Sequence, residues 1–151
     1  MRRQFLVALL AAVSAPASAA FFQIAEQSAS GIGNAFAGGA AIAEDASTVW
    51  YNPAGMTRFT GPQFVVGGSY ILPSFTADVK SASSAIGPIG GGGGEAGAPA
   101  FVPNLYAVVP ISKRFTLGAG VNAPFGLVTD YPDTWAGRYY ALRSDIKTVN
   151  V

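Results

Sequence analysis

Site chemistry needs a base, a nucleophile, a metal ligand or a charged clamp, and this sequence is short of the first three. It contains no His and no Cys, which removes the usual general base, the thiol nucleophile and most transition-metal sites. Glu44 and Asp45 are adjacent, a spacing that suits a helix start better than a working carboxylate pair. Asp130 and Asp133 sit in a Pro-containing loop, where solvent exposure is the stronger reading and a calcium-binding role the weaker one. Gly31-Ile32-Gly33 begins like a phosphate loop, but position 36 is Phe and no strand pattern precedes it. The serines have no partner base. No catalytic residue, metal or cofactor is therefore expected, and the elements have to be read for binding or passage instead.

Half of the 151 residues are hydrophobic and only 11% are charged, yet no stretch approaches the 18 or so apolar residues of a membrane-spanning helix. Nineteen Gly and ten Pro scattered through apolar sequence disfavour long helices. Residues 1–19 read as a cleaved export signal: Arg2-Arg3 form the positive start, residues 5–13 the apolar stretch, and Ala17-Ser18-Ala19 the cleavage site. Removing Arg2 and Arg3 leaves seven basic residues against eight acidic ones, a balance that gives no footing for nucleic acid. An exported chain without Cys has no disulfide framework, so its stability must come from packing, a hydrogen-bonded sheet or a membrane.

From residue 60 onward the pattern has period two. Phe115, Leu117, Ala119, Val121, Ala123, Phe125 and Leu127 alternate with Thr116, Gly118, Gly120, Asn122, Pro124 and Gly126, so one face of this strand is apolar and the other small or polar. Phe64, Val66, Tyr70 and Leu72 form a similar run, as do Phe101, Leu105, Val109 and Ile111. Ser112-Lys113-Arg114 is a tight charged turn, whereas residues 80–99 and 129–137 are long loops. Short turns at one end and long loops at the other are the asymmetry of outer-membrane barrels, with the short turn facing the periplasm. A soluble sandwich explains alternation equally well. It accounts less well for strands of some 12 to 18 residues, when soluble strands run about 5 or 6. Pro124 cannot donate to a ladder and Gly126 weakens pairing, so the third strand should bulge or kink across Asn122, Ala123, Pro124, Phe125 and Gly126. A plain strand end near Pro124 is the alternative, although Phe125 and Leu127 continue the apolar face.

Residues 20–59 read differently, as a compact irregular segment. Ser28-Ala29-Ser30 can cap a short helical turn reaching residues 34–36, and Asp45 can cap residues 46–51. Asn52 followed by Pro53 then starts a second short helix at a sharp corner, since Pro is tolerated at the first helical position.

The stretches "FQIAEQSASGIGNAFAGGAAIAEDASTVWYNPAGM" and "PAFVPNLYAVVPISKRFTLGAGVNAPFGLVTDY" resemble the FadL/TodX-type family of outer-membrane transporters for hydrophobic compounds, and the resemblance runs from about Ala20 to the last residue. It implies an all-β fold with a small helical plug, the N-terminal part of a transmembrane antiparallel barrel of roughly fourteen strands. Residues 20–59 would be the hatch inside that barrel, with Asn52, Pro53 and Ala54 its corner motif, and residues 60–151 the first three to four wall strands. Four strands cannot close in lipid, so the chain is expected to be an N-terminal fragment or a truncated gene product, with a self-closing oligomer as the weaker alternative.

The resemblance further implies uptake of long-chain fatty acids or related hydrophobic compounds across the bacterial outer membrane, by diffusion through the plugged barrel and lateral exit into the bilayer at the kinked third strand. Arg138 and Arg143 are the candidate contacts for a ligand carboxylate. The expected partners are the apolar cargo, outer-membrane lipid and lipopolysaccharide, which the loop of Asp130 and Asp133 could bridge, and the barrel-assembly machinery. An enzyme is not expected. The competing reading is a surface protein without transport, an adhesin or structural barrel that uses the long loops.

Overall fold

The computed structural model describes residues 22–151, so the expected export signal, residues 1–19, and the first two residues of the expected hatch lie outside the described residues. The N-terminal segment folds as three short helical pieces. Ser28 caps α1 (Ala29–Gly33), its hydroxyl accepting from the Gly31 N–H at 3.1 Å. The helix stops at Gly33, short of residue 36, because Ala35 and Phe36 take left-handed backbone angles that no helix continues through. α2 (Thr48–Tyr51) begins later than the sequence predicts, with Ser47 at the N-cap position. Asp45 acts one step earlier, its carboxylate accepting from the Ser47 N–H at 2.8 Å. Asn52 is extended, which ends α2, and its side-chain oxygen accepts from the Ala54 N–H at 3.2 Å to start a 3₁₀ helix (Pro53–Arg58) with Pro53 at the first position.

The strands follow: β1 (Gln63–Ile71), β2 (Thr76–Ala77), β3 (Gly94–Glu95), β4 (Ala100–Ser112), β5 (Phe115–Val121), β6 (Gly126–Asp130) and β7 (Arg143–Lys147). β1, β4 and β5 form an antiparallel sheet in that order, while β2–β3 and β6–β7 form two further antiparallel pairs. The long strands of the sequence reading are present but interrupted. Ile71 pairs with Ala100 and Thr76 with Glu95, five residues further on each side, so β2–β3 continues the β1–β4 hairpin in one register. The Ala96 N–H donates to the Phe75 carbonyl at 2.9 Å within that interruption.

The sheet is inside out by the standard of a soluble protein. Phe64, Val66, Tyr70, Phe101, Leu105, Ile111, Phe115 and Leu117 all point away from the helices, and Phe64 is 72% and Val66 78% exposed. Register aligns them into continuous apolar rows, Val66 beside Leu105 beside Val121, and Tyr70 beside Phe101. Leaving one such side chain in water rather than buried costs roughly 1.5–3 kcal/mol, so a face carrying this many calls for an apolar surrounding. Among the described residues no helix is long and apolar enough to cross a membrane; strands with one apolar face are the other way to cross.

The opposite face is where the core sits. Tyr106 and Val108 of β4 are buried against Ala46, with Val49, Trp50, Met56, Phe59 and Val65 packed around them. β5 lets the helices come close because it presents glycine there. A methyl group built at Gly118 would lie 2.1 Å from the Met56 sulfur of the 3₁₀ helix, while one at Gly120 would lie 2.7 Å from the Tyr106 ring of the neighbouring β4.

The antiparallel order puts the Lys113–Arg114 turn at one end of the sheet and the loops between β2 and β3 and between β6 and β7 at the other. Trypsin added to intact cells should therefore cut after the exposed Lys80 and leave Lys113 and Arg114 untouched until the outer membrane is permeabilised. Mass spectrometry of the released peptides reads the result, and cutting at Lys113 on intact cells would reverse the assigned orientation.

Candidate functional site

The feature that stands out in the sheet is a hole in its hydrogen-bond ladder. Beyond a register shift between Pro110 and Ser112, β4 and β5 pair continuously from Pro110 opposite Thr116 to Leu105 opposite Val121, and then separate. They meet again where Gly97 pairs with Thr129, supported by the Asp130 N–H donating to the Ala96 carbonyl at 2.9 Å. From Val121 to Thr129 and from Leu105 back to Gly97 the chain moves eight residues on each side, so the register on either side of the gap is the same. The Ala98 N–H also donates to the Val128 carbonyl at 3.4 Å, so the gap is a window framed by ladder above and below, with residues 99–104 along one jamb and 122–127 along the other.

A cavity of about 290 Å³ fills this window, at the lower end of the roughly 300–1,000 Å³ of small-molecule pockets. Phe101, Pro103 and Val121, on the outward face, line it together with Val102 and Asn122, on the inward face, and Ile24 of the N-terminal segment. Residues of both faces of the sheet thus border it. Its lining is almost wholly apolar; Asn122, Lys147 and Thr148 carry the polar side chains that reach it.

The far jamb is bulged. Gly126 pairs with Lys147 and Asn122 with Asn150, which is four residues on one side and three on the other, so the strand carrying Pro124 holds one residue more than its neighbour. Thr148 bridges the bulge with its side chain: its hydroxyl accepts from the Phe125 N–H at 2.9 Å and donates to the Phe125 carbonyl at 2.7 Å. On the edge that β4 leaves open, the N-terminal segment takes over. Gln23 bridges Phe125, the Ile24 N–H donates to the Pro124 carbonyl at 2.9 Å, and the Gly126 N–H donates to the Phe22 carbonyl at 3.2 Å. Asn122, Ala123, Pro124, Phe125 and Gly126 are thus gathered at one jamb of one cavity.

Asn52, Pro53 and Ala54 lie elsewhere, at the corner between α2 and the 3₁₀ helix. The Asn52 amide donates to the Ala40 carbonyl at 2.7 Å, its main-chain N–H donates to Thr48, and its carbonyl accepts from the Thr48 hydroxyl at 3.0 Å. Arg58 adds bonds to the carbonyls of Ala41 and Ile42 at 2.8 and 3.0 Å. The corner and the strand-free loop before it are clamped as one body. Burial works to raise the Asp45 carboxyl in this body, but hydrogen bonds from Ser30 and from the side chain and backbone of Ser47 together outweigh it and hold it below its ordinary value.

Neither Arg138 nor Arg143 lines the cavity. Arg138 ties two loops together, donating to the carbonyls of Trp135 and Pro88 and lying 4.5 Å over the Tyr139 ring. The same loops meet where Gly91 exchanges hydrogen bonds with Thr134 and Ala136, beside the stacked rings of Tyr131 and Trp135. Arg143 pairs with Asp130 at 3.1 Å and Asp145 at 3.2 Å, exposed ion pairs of small worth. Among the described residues no three acidic groups gather as a metal site would require. Sequence reasoning missed Gln27, Thr148 and Asn150. Each matters chiefly through a distant segment it touches, and its own neighbourhood in the chain carries no signal of that.

Residues 10–151 match the family model described as outer membrane protein transport protein (OMPP1/FadL/TodX). The chain is 43% identical over 146 residues to outer membrane protein P1 of Haemophilus influenzae, covering 89% of this chain and 32% of that protein. It is 39% identical to the 47 kDa outer membrane protein of Pasteurella multocida, over 96% of this chain and 32% of that one. With the long-chain fatty acid transport protein of Escherichia coli K12 it shares 36% identity over 97% of its own length and 32% of that protein's. The chain thus spans about a third of the length of these curated relatives. A crystal structure of a Pseudomonas aeruginosa FadL homologue shares the fold, with a TM-score of 0.62 and 24% identity over 85% of this chain and 32% of that one.

The clamp at the helix corner generates a measurable expectation. Asn52→Ala removes a cap worth about 1 kcal/mol together with the bond to Ala40, so amide exchange over residues 40–58 should quicken by roughly five- to tenfold, since 1.4 kcal/mol is a factor of ten. Exchange over residues 100–112 should not change. Equal protection of residues 40–58 in variant and parent would show that the corner is held by packing alone.

Proposed function

This chain belongs to the outer-membrane transport protein family of OMPP1, FadL and TodX, and from that premise we propose that it forms the hatch and first wall strands of a barrel that takes up long-chain fatty acids or related hydrophobic compounds, with lateral exit at the kinked third strand. The outer membrane is its compartment, and the apolar outer face of the sheet suits lipid. On this reading residues 1–19 are the export signal, 20–59 the hatch and 60–151 the wall, and the role is passage rather than catalysis. Outer-membrane lipid, lipopolysaccharide and the barrel-assembly machinery are its partners.

The observation that carries the reading is the window. An apolar solute moving down its gradient needs a path that never asks it to cross the polar headgroup layer, and a gap in the wall at membrane depth supplies one. The cavity is apolar, is bordered by residues of both faces of the sheet, and is bounded by paired backbone above and below, so it can exist without unravelling the wall. An adhesin has no use for such a gap, and nothing in the loop geometry favours adhesion over passage. Named relatives carry the same sense at family level, one of them described as a long-chain fatty acid transport protein.

Gly126 offers the most direct test. A methyl group there would lie 3.0 Å from the Ile24 side chain and 3.5 Å from the Ile146 carbonyl, so any larger side chain must enter the cavity or push the N-terminal segment aside. Gly126→Arg in the intact protein should insert normally and lose at least tenfold in uptake of labelled fatty acid or hydrocarbon, while Thr116→Ser on the inward face should be silent. Full uptake by a correctly inserted Gly126→Arg protein would remove lateral exit and leave a path along the lumen.

A further inference from the structure

We infer that Gln27 is a positioning residue that latches the N-terminal segment into the window frame, its carboxamide standing in for the ladder partner that β4 withdraws. The inference rests on reading the window as the exit. Gln27 is 1% exposed and all of its polar atoms are engaged. Its Nε2 protons go to the carbonyls of Ile24 and Ala123, both at 2.9 Å. Its Oε1 accepts from the Asn122 amide at 2.9 Å, and its main-chain carbonyl accepts from the Tyr106 hydroxyl at 2.9 Å. Asn122 in turn accepts from the Asn150 amide at 3.0 Å and exchanges main-chain bonds with Asn150. One side chain therefore joins the N-terminal segment, the bulged jamb and the strand beyond it.

The chemistry is specific to a primary amide of this length. Two donors and an acceptor are needed on one flat group, because Ile24 and Ala123 present oxygens and Asn122 presents an N–H. A thioether supplies none of these, and an ionised carboxylate would face two carbonyl oxygens with no proton to offer. The Ile24 N–H to Pro124 and the Gly126 N–H to Phe22 tie residues 22–24 to the jamb, each bond worth about 0.5–1.5 kcal/mol net, and the buried amide adds a hold of comparable or greater size. Release of the latch frees the segment that occupies the window's open edge, without disturbing the β4–β5 pairing below it.

Gln27→Glu turns this into a pH experiment. The groups around the new carboxyl are the neutral Tyr106 hydroxyl from β4, the Asn122 amide from the jamb, Glu26 beside it in the chain, and Asp45 reached through Ser28 and Ser30. Burial and the facing oxygens both favour the protonated form, so it should titrate above the ordinary glutamate value of about 4.3. The chain has no native Cys, which allows a single spin label on Gln23→Cys in the intact protein in outer-membrane vesicles. The label should be immobile in the parent at every pH. In Gln27→Glu it should be mobile at neutral pH and immobile again on acidification, and in Gln27→Met mobile throughout.

A label that stays immobile in Gln27→Met, or mobility in Gln27→Glu that ignores pH, overturns the latch. Should Gln27→Glu fail to insert, Gln27→Met decides alone. Passage of an apolar dye measured on the same vesicles separates this inference from the reading beneath it. A freed label with unchanged dye passage keeps the latch and removes the exit, whereas an immobile label removes the latch whatever the dye does.

Discussion

In hydrocarbon no water is present to take an unpaired backbone group, and each one left bare costs several kcal/mol. A strand that carries Pro124 in its middle violates that constraint, and much of the local structure is the remedy. Thr148 takes both the N–H and the carbonyl of Phe125. Residues 22–24 take the Pro124 carbonyl and the Gly126 N–H, and Gln27 takes the Ala123 carbonyl. None of these partners belongs to β4, the strand that a continuous ladder would use. The ladder then resumes at Ala98 and Val128 and at Gly97 and Thr129 with no change of register, so the defect is confined to residues 99–104 and 122–127.

The same logic explains why the helical segment and the sheet form one unit. A sheet whose apolar face looks outward has to find its interior partner elsewhere, and here the partner is the chain's own N-terminal part. Gly118 removes the side chain that would hold the helices off, Gly120 leaves room for the Tyr106 ring, and Tyr106 reaches to the Gln27 carbonyl. Val108 and Ala46 close the dry contact between the two layers. On the transport reading, what blocks the lumen also completes the wall, and movement of the first residues of the described chain changes both.

Much of this was legible in the residues because it follows from local rules. Alternation at residues 115–121 gave the two faces of β5, Ser112-Lys113-Arg114 gave the turn, and Asn52-Pro53 gave the helix corner, each from the geometry of a few neighbouring positions. The interruptions were only half legible. Pro124 marks where a ladder bond is missing, but nothing near it says that β6 resumes pairing with residues 96–98 in the old register, since that is set by how the long loop folds back. Gln27 and Thr148 were invisible for the same reason: a polar residue in an apolar segment has many uses, and its partner lies about 95 or 23 residues away. Arg138 and Arg143 read as free cations along the chain, yet loop carbonyls hold the first and Asp130 and Asp145 the second.

The central claim is that apolar cargo leaves through the gap between residues 99–104 and 122–127. In a continuous ladder Phe101 would face Phe125, and both now border the cavity. The deciding measurement is uptake of a labelled fatty acid by the intact protein carrying Phe101→Cys and Phe125→Cys, before and after a cleavable bis-maleimide is fixed across the gap, with Leu105→Cys and Val121→Cys, a paired position below it, as the control. Uptake should fall on bridging the window, return on cleaving the bridge, and be indifferent to the control bridge. Undiminished uptake with the window bridged would contradict the account.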